Sequence, residues 1–216
     1  MRVGRLRRIG LVTAGAVVAA AAGCGAGRDA PAVPSPGPAS APSSRSASAS
    51  APPAAPAGIA WSRLRPLTWA DFRGTPDPAS EVAALTVYVI SYDAQCASGV
   101  LSVRVSSTFL PDRSWVKPAV LERNEDGRRA LDHEQTHFDL SEVHVRRIRK
   151  RLRELTDPCR ASQQEFQDLV QPFIDEDARR QSAYDRETVH GLNAARQAEW
   201  DETVRRELAS LNAWAR

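Results

Sequence analysis

Two histidines, His133 and His137, stand four residues apart, with Glu134 directly after the first. On a helix, residues at that spacing lie about 40° apart around the axis and one turn apart along it, so both imidazoles reach one metal ion. Glu134 projects beside the metal rather than at it, where a carboxylate can take a proton from metal-bound water. This is the His-Glu-x-x-His spacing of zinc hydrolases, in which zinc lowers the pKa of the water and the glutamate collects and returns the proton. Five residues also fall into this order on an ordinary amphipathic helix, so the surrounding sequence has to carry the assignment.

A catalytic zinc site takes three protein ligands, and the chain has four histidines. Glu142, nine residues past His133, lies about 180° around the helix and points away. His144 returns to a favourable angle but sits roughly 16 Å along the axis from His133, too far for one ion. Phe138-Asp139-Leu140-Ser141 contains no glycine that could turn the chain back after the second histidine. His190 remains, placed after an acidic, helix-compatible run and before Gly191; Glu187, one turn earlier, is the competing third ligand. His190 would otherwise cap a helix C-terminus. Tyr184 can share that face and offer its hydroxyl to a developing oxyanion, or be a core tyrosine. Asp132 and Asp139 flank the motif, either orienting imidazole N–H groups or as surface charges.

The elements that must hold these residues follow from periodicity. Residues 83–92 and 100–109 read as neighbouring antiparallel strands joined through Asp93 to Gly99, with alternation clearest at Leu101, Val103 and Val105. From Asp126 to Leu155 the pattern is helical, so the metal motif falls in the N-terminal half of a long helix. Arg146, Arg147, Arg149, Lys150, Arg151 and Arg153 crowd its other half as a solvated face that complements the helix dipole. Asp157-Pro158 ends it. A second helix carries Phe166, Leu169, Val170, Phe173 and Ile174 around Pro172, and a third starts near Asn193. The stretch from Tyr184 to Gly191 lies between these two.

Of the 216 residues, the first quarter differs sharply from the rest. Met1 to Arg8 is basic and Ile9 to Ala22 apolar, the form of a secretory leader, too short to span a membrane. It runs into Ala21-Ala22-Gly23-Cys24, similar to a lipoprotein cleavage box except that Ala21 stands where leucine is usual. Cys24 would then carry the lipid; ordinary cleavage and release is the alternative. Residues 24–58 are Ala, Pro and Ser, a composition that cannot offset chain entropy by burial, and read as a tether. The folded domain is residues 59–216. Without the four leader arginines the formal charge of +3 falls to −1, which removes the main support for nucleic-acid binding. If Cys24 is lipidated, Cys96 and Cys159 remain to form a disulfide in an oxidising compartment.

Four separated motifs resemble one bacterial family: Leu67-Thr68-Trp69-x-Asp71-Phe72-x-Gly74, Ser114-Trp115, His133-Glu134-Gln135-x-His137-Phe138-Asp139-Leu140 and Tyr184-Asp185-x-Glu187-Thr188-x-His190-Gly191. It is domain of unknown function nine-twenty-two, described as predicted secreted zinc-dependent proteases. The resemblance implies an α+β, zincin-like fold, with a small antiparallel sheet packed on a long metal-bearing helix and further helices following. It also implies a functional role for the segment from Tyr184 to Gly191.

Together these readings lead to the expectation of an exported, lipid-anchored zinc metallopeptidase at the outer face of the cell membrane. Zn2+ would be held by His133, His137 and His190, with Glu134 as general base, and a peptide or protein of the envelope would be the substrate. A non-catalytic tethered binding or structural lipoprotein with a zinc site, and an amide hydrolase of cell-wall peptides, are the alternatives.

Overall fold

A computed structural model describes residues 7–14, 58–121, 124–157 and 159–215, with the backbone alone for residues 7–14 and 124. In chain order the strands are β1 (Arg7–Ala14), β2 (Ile59–Ala60), β3 (Ala84–Leu85), β4 (Tyr88–Ala97), β5 (Val100–Phe109) and β6 (Trp115–Val116). The helices are α1 (Pro118–Leu121), α2 (Asn124–Arg153), α3 (Gln163–Thr188) and α4 (Ala194–Ser210). The fold is α+β, with one antiparallel sheet ordered β1-β4-β5-β2 and a two-stranded sheet of β3 with β6.

The expected strand over 83–92 is divided in two, and the expected connection over 93–99 is mostly strand. The reason is the turn: Ser98 and Gly99 take φ of 53° and 79°. A two-residue loop with both centres left-handed matches the twist of its flanking strands, so pairing runs out to Ala97 opposite Val100. Residues 7–14, read from the sequence as part of a leader, form a strand along β4, from Arg7 opposite Cys96 to Ala14 opposite Ile90. Cys24 and the rest of the leader and tether lie outside the described residues. Among the described residues no helix is long and apolar enough to cross a membrane.

Helix α2 lies across β5 and β4. Phe138, Val145, Ile148 and Leu152 are buried in the same core as Ile90, Val105 and Phe109, and the Phe109 and Phe138 rings meet at 5.8 Å. Burying each of these side chains is worth roughly 1.5–3 kcal/mol relative to exposure. The basic half of α2 is only partly a solvated face. Lys150, Arg151 and Arg153 are exposed, but Arg146 is 4% exposed and donates to Glu142 at 2.9 Å. Arg149 donates to the same carboxylate and to the Val105 and Trp214 carbonyls. Glu142 is itself buried, and a buried carboxylate and guanidinium are retained only when paired.

Helix α3 starts at a capping box made by Ser162 and Glu165 and runs through Pro172 to Thr188. The segment from Tyr184 to Thr188 is therefore its last turn rather than a link between helices. Tyr184 joins Leu140, Val143 and Val204 in a second apolar cluster where α2, α3 and α4 meet. Cys96 and Cys159 are joined in a disulfide, which ties the end of β4 to the loop before α3.

Candidate metal centre

His133 and His137 are successive turns of α2 on its buried side, 4% and 7% exposed. Their rings meet edge to face with centroids 4.7 Å apart, and their Nε2 atoms are 3.2 Å apart. Asp185, in the last turn of α3, places Oδ1 3.2 Å from His133 Nε2 and 2.9 Å from His137 Nε2. Two imidazole nitrogens and a carboxylate oxygen thus converge on one point. His190 brings Nδ1 to 3.4 Å from the same Asp185 oxygen, and ligand atoms of His133, Asp185 and His190 all lie within 4.8 Å of one another. The donors come from two helices, α2 and α3, and from the turn after α3, so the long helix that the sequence marks as metal-bearing carries only part of the set.

His190 arrives by an unusual backbone. Val189, His190 and Gly191 take φ of 52°, 52° and 81° in succession, a region costly for a β-branched valine. Glycine is favoured third, because at that positive φ a Cβ on Gly191 would also stand 3.1 Å from His133 Cβ, tighter than ordinary packing. The turn brings the chain directly against the first histidine, and the His190 side chain stays 42% exposed.

The opposite edges of the two buried imidazoles face amides. His133 Nδ1 is 3.1 Å from Gln197 Oε1 and His137 Nδ1 is 2.6 Å from Gln181 Oε1. Each Nδ1–H donates to a glutamine oxygen, which leaves Nε2 as the atom directed at the cluster. Burial opposes charge on the His137 ring, but the Asp185 carboxylate, with Glu134 behind it, raises its pKa to about 9 in the metal-free protein. Burial also acts to raise the Asp185 pKa, yet hydrogen bonds and charge from His133 and His137 hold it well below the usual carboxylate range.

Glu134 is 5% exposed, and its Oε2 has no hydrogen-bond partner among the described residues. An orphaned buried carboxylate oxygen beside two converging imidazoles fits a site completed by a cation and its water. The adjoining cleft holds about 40 Å³ and is lined by Val82 to Thr86 together with the four cluster residues and Glu134. The Thr86 hydroxyl donates to the Glu134 carbonyl and fixes this segment against α2.

The other residues singled out from the sequence lie elsewhere. Glu187 accepts from Arg196 and, at 3.0 Å, from the Trp200 indole. Tyr184 stacks on His133 with centroids 4.5 Å apart. Its hydroxyl is bonded to Gln197 and the His133 carbonyl, so it backs the histidine instead of facing the cleft. Asp139 accepts from Trp61 and Gln135, both at 2.7 Å. Burial and nearby Asp201 raise the Asp132 pKa. Neither carboxylate orients an imidazole; the glutamines do. Gln135 also accepts from the Leu67 amide at 2.7 Å, which docks the domain-start motif on α2.

Asp185 stood in the sequence only as part of a motif and not as a ligand, and Gln181 and Gln197 were missed. A signal was present: Asp177, Gln181 and Asp185 recur every four residues on α3, and all three are buried. A polar stripe on a buried helical face has to be satisfied by something.

A family model described as "Bacterial protein of unknown function (DUF922)" matches residues 68–191, a span that includes His133, Glu134, His137, Asp185 and His190. No curated protein and no solved structure matches the chain.

Proposed function

The chain belongs to DUF922, a bacterial family of unknown function, and on that premise we propose that it is a metal-binding protein with a single site for zinc. The observation that carries the proposal is the convergence of His133 Nε2, His137 Nε2 and Asp185 Oδ1 within 3.2 Å of one another. Two imidazoles and one carboxylate form a borderline donor set suited to zinc. His190 is the fourth donor, drawn from a half-exposed turn. The site binds the ion in an exported domain held at the membrane by a lipid on Cys24.

The second reading is a zinc-dependent hydrolase of zincin type, favoured by one observation, the unpartnered Oε2 of buried Glu134. When bound, zinc supplies polarisation of a carbonyl and a water of lowered pKa. Glu134 holds the proton taken from that water and returns it to the leaving amine. The segment from Val82 to Thr86, with the short strand β3 at its centre, aligns an extended peptide beside the cluster. The substrate class is a peptide bond in an envelope protein or a wall peptide.

The test is elemental analysis of the purified full chain, wild type beside His133→Ala, Asp185→Ala and Glu134→Gln. One zinc in wild type, lost in the first two variants and kept in the third, supports the metal-binding reading; a folded wild type that takes up no zinc on reconstitution sinks it. A peptide-library screen then separates the two readings: hydrolysis abolished in Glu134→Gln establishes the enzyme, and no hydrolysis by zinc-loaded wild type leaves a binding protein.

A further inference from the structure

We infer that Gln181 is a positioning residue of the metal centre: its amide, locked by Tyr88 and Asp177, dictates that His137 presents Nε2 and not Nδ1 to the ion. The inference rests on the metal-binding reading, but its subject is the nitrogen presented, which can be observed without metal once the ring is neutral.

An amide beside a histidine can in principle turn either end to the ring. Here the choice is made on the far side. Gln181 Nε2 lies 2.8 Å from the Tyr88 hydroxyl, 3.0 Å from the His137 carbonyl and 3.2 Å from Asp177 Oδ1. A carbonyl accepts only, and so does a carboxylate. The Tyr88 hydroxyl gives its proton to Asp177 Oδ2 at 2.5 Å, so it too meets Gln181 with lone pairs. Flipping the amide would set its oxygen against three acceptors in a site where Tyr88, Asp177, Gln181 and His137 are all buried, with no solvent to compensate.

The oxygen end therefore faces His137 Nδ1, at 2.6 Å, and can only accept. His137 must carry its proton there, which leaves Nε2 for the cluster. Side chains from β4 and α3, 40 or more positions from His137, thus decide the chemistry of a residue on α2. Glutamine suits the position better than a carboxylate, which would supply no donor to the His137 carbonyl and would set a second negative charge against Asp177.

The experiment is 15N NMR of the imidazoles in the full chain labelled at histidine, first metal-free and then loaded with cadmium-113, for wild type, Gln181→Leu and the charge-conserving swap Asp177→Asn/Gln181→Glu. In wild type, metal-free at a pH above 9 where the ring is neutral, His137 keeps its one proton on Nδ1, and cadmium couples to Nε2. In Gln181→Leu the Nδ1 proton signal is lost, coupling divides between the nitrogens, and cadmium affinity falls by roughly 10- to 100-fold, the usual loss for an outer partner of a ligand histidine. The swap keeps an acceptor at 181 and restores coupling through Nε2, which a purely structural role would not do. Wild-type coupling through Nδ1 would overturn the inference, as would a folded Gln181→Leu with unchanged Nε2 coupling and affinity. If Gln181→Leu does not fold, the wild-type spectrum still decides. Should wild type take up no metal, the metal-binding reading falls alone, and the metal-free Nδ1 signal decides this one.

Discussion

His137 Nε2 stands 2.9 Å from Asp185 Oδ1, and in the metal-free protein a proton lies between them, because His137 titrates at about 9. On the proposed metal-binding reading, zinc and that proton compete for one lone pair. Below pH 9, zinc binding should expel close to one proton and its affinity should climb with pH up to that value. Calorimetry in buffers of different ionisation enthalpy reads the proton directly; uptake without proton release at pH 7.5 would show that His137 is not a ligand.

The donors should differ in weight. Asp185 is buried and touches both α2 histidines, whereas His190 is half exposed on a left-handed turn. Asp185→Asn is expected to weaken zinc binding by more than the roughly 10- to 100-fold that a lost outer partner costs, and His190→Ala by less than Asp185→Asn. Competition against a chelating dye ranks the two, and the reverse order would make His190 the principal third ligand.

His144 should make the fold sensitive to acid. Both its ring nitrogens are buried without partners among the described residues. Burial, with Arg147, Arg180 and Arg179 adding repulsion, pushes its pKa down to about 3. The unfolded chain takes up a proton near pH 6.5, and the folded chain does not until about pH 3. Stability from this residue is therefore present above pH 6.5 and drains away as pH falls toward 3. His144→Phe should flatten the loss of melting temperature between pH 7 and 4; an unaltered slope would mean that the ring is hydrated in the folded protein.

The disulfide closes a loop spanning 63 residues between Cys96 and Cys159, which the chain-entropy estimate makes worth about 4 kcal/mol. Cys96→Ser/Cys159→Ser should lower the urea midpoint accordingly. Because the bridge lies at the end of β4 and before α3, zinc stoichiometry at low denaturant should be unchanged. Loss of zinc in the folded double variant would show that the bridge sets the placement of α3 in the site.

What the sequence determined by itself was local. His133, Glu134 and His137 were legible because a helix converts a spacing of four into one face, whatever packs against it. The long helix, the neighbouring strands and the pairing of Cys96 with Cys159 followed from periodicity and cysteine parity. Even the failure of His144 as a ligand came from helical rise alone. Tertiary structure decided the rest. Asp185 is 52 residues from His133 and becomes its neighbour only because Phe166, Val170 and Ile174 seat α3 in the core shared with α2 and the sheet. The same docking turns Glu187 to Arg196 and Trp200. Gln181 and Gln197 look like ordinary helix-surface residues until three helices close over them. Arg146 and Arg149 looked solvated until Glu142 and the β5 backbone were found beneath them. Periodicity reports which face of an element is buried, but only the packing of one element on another reports what that face meets.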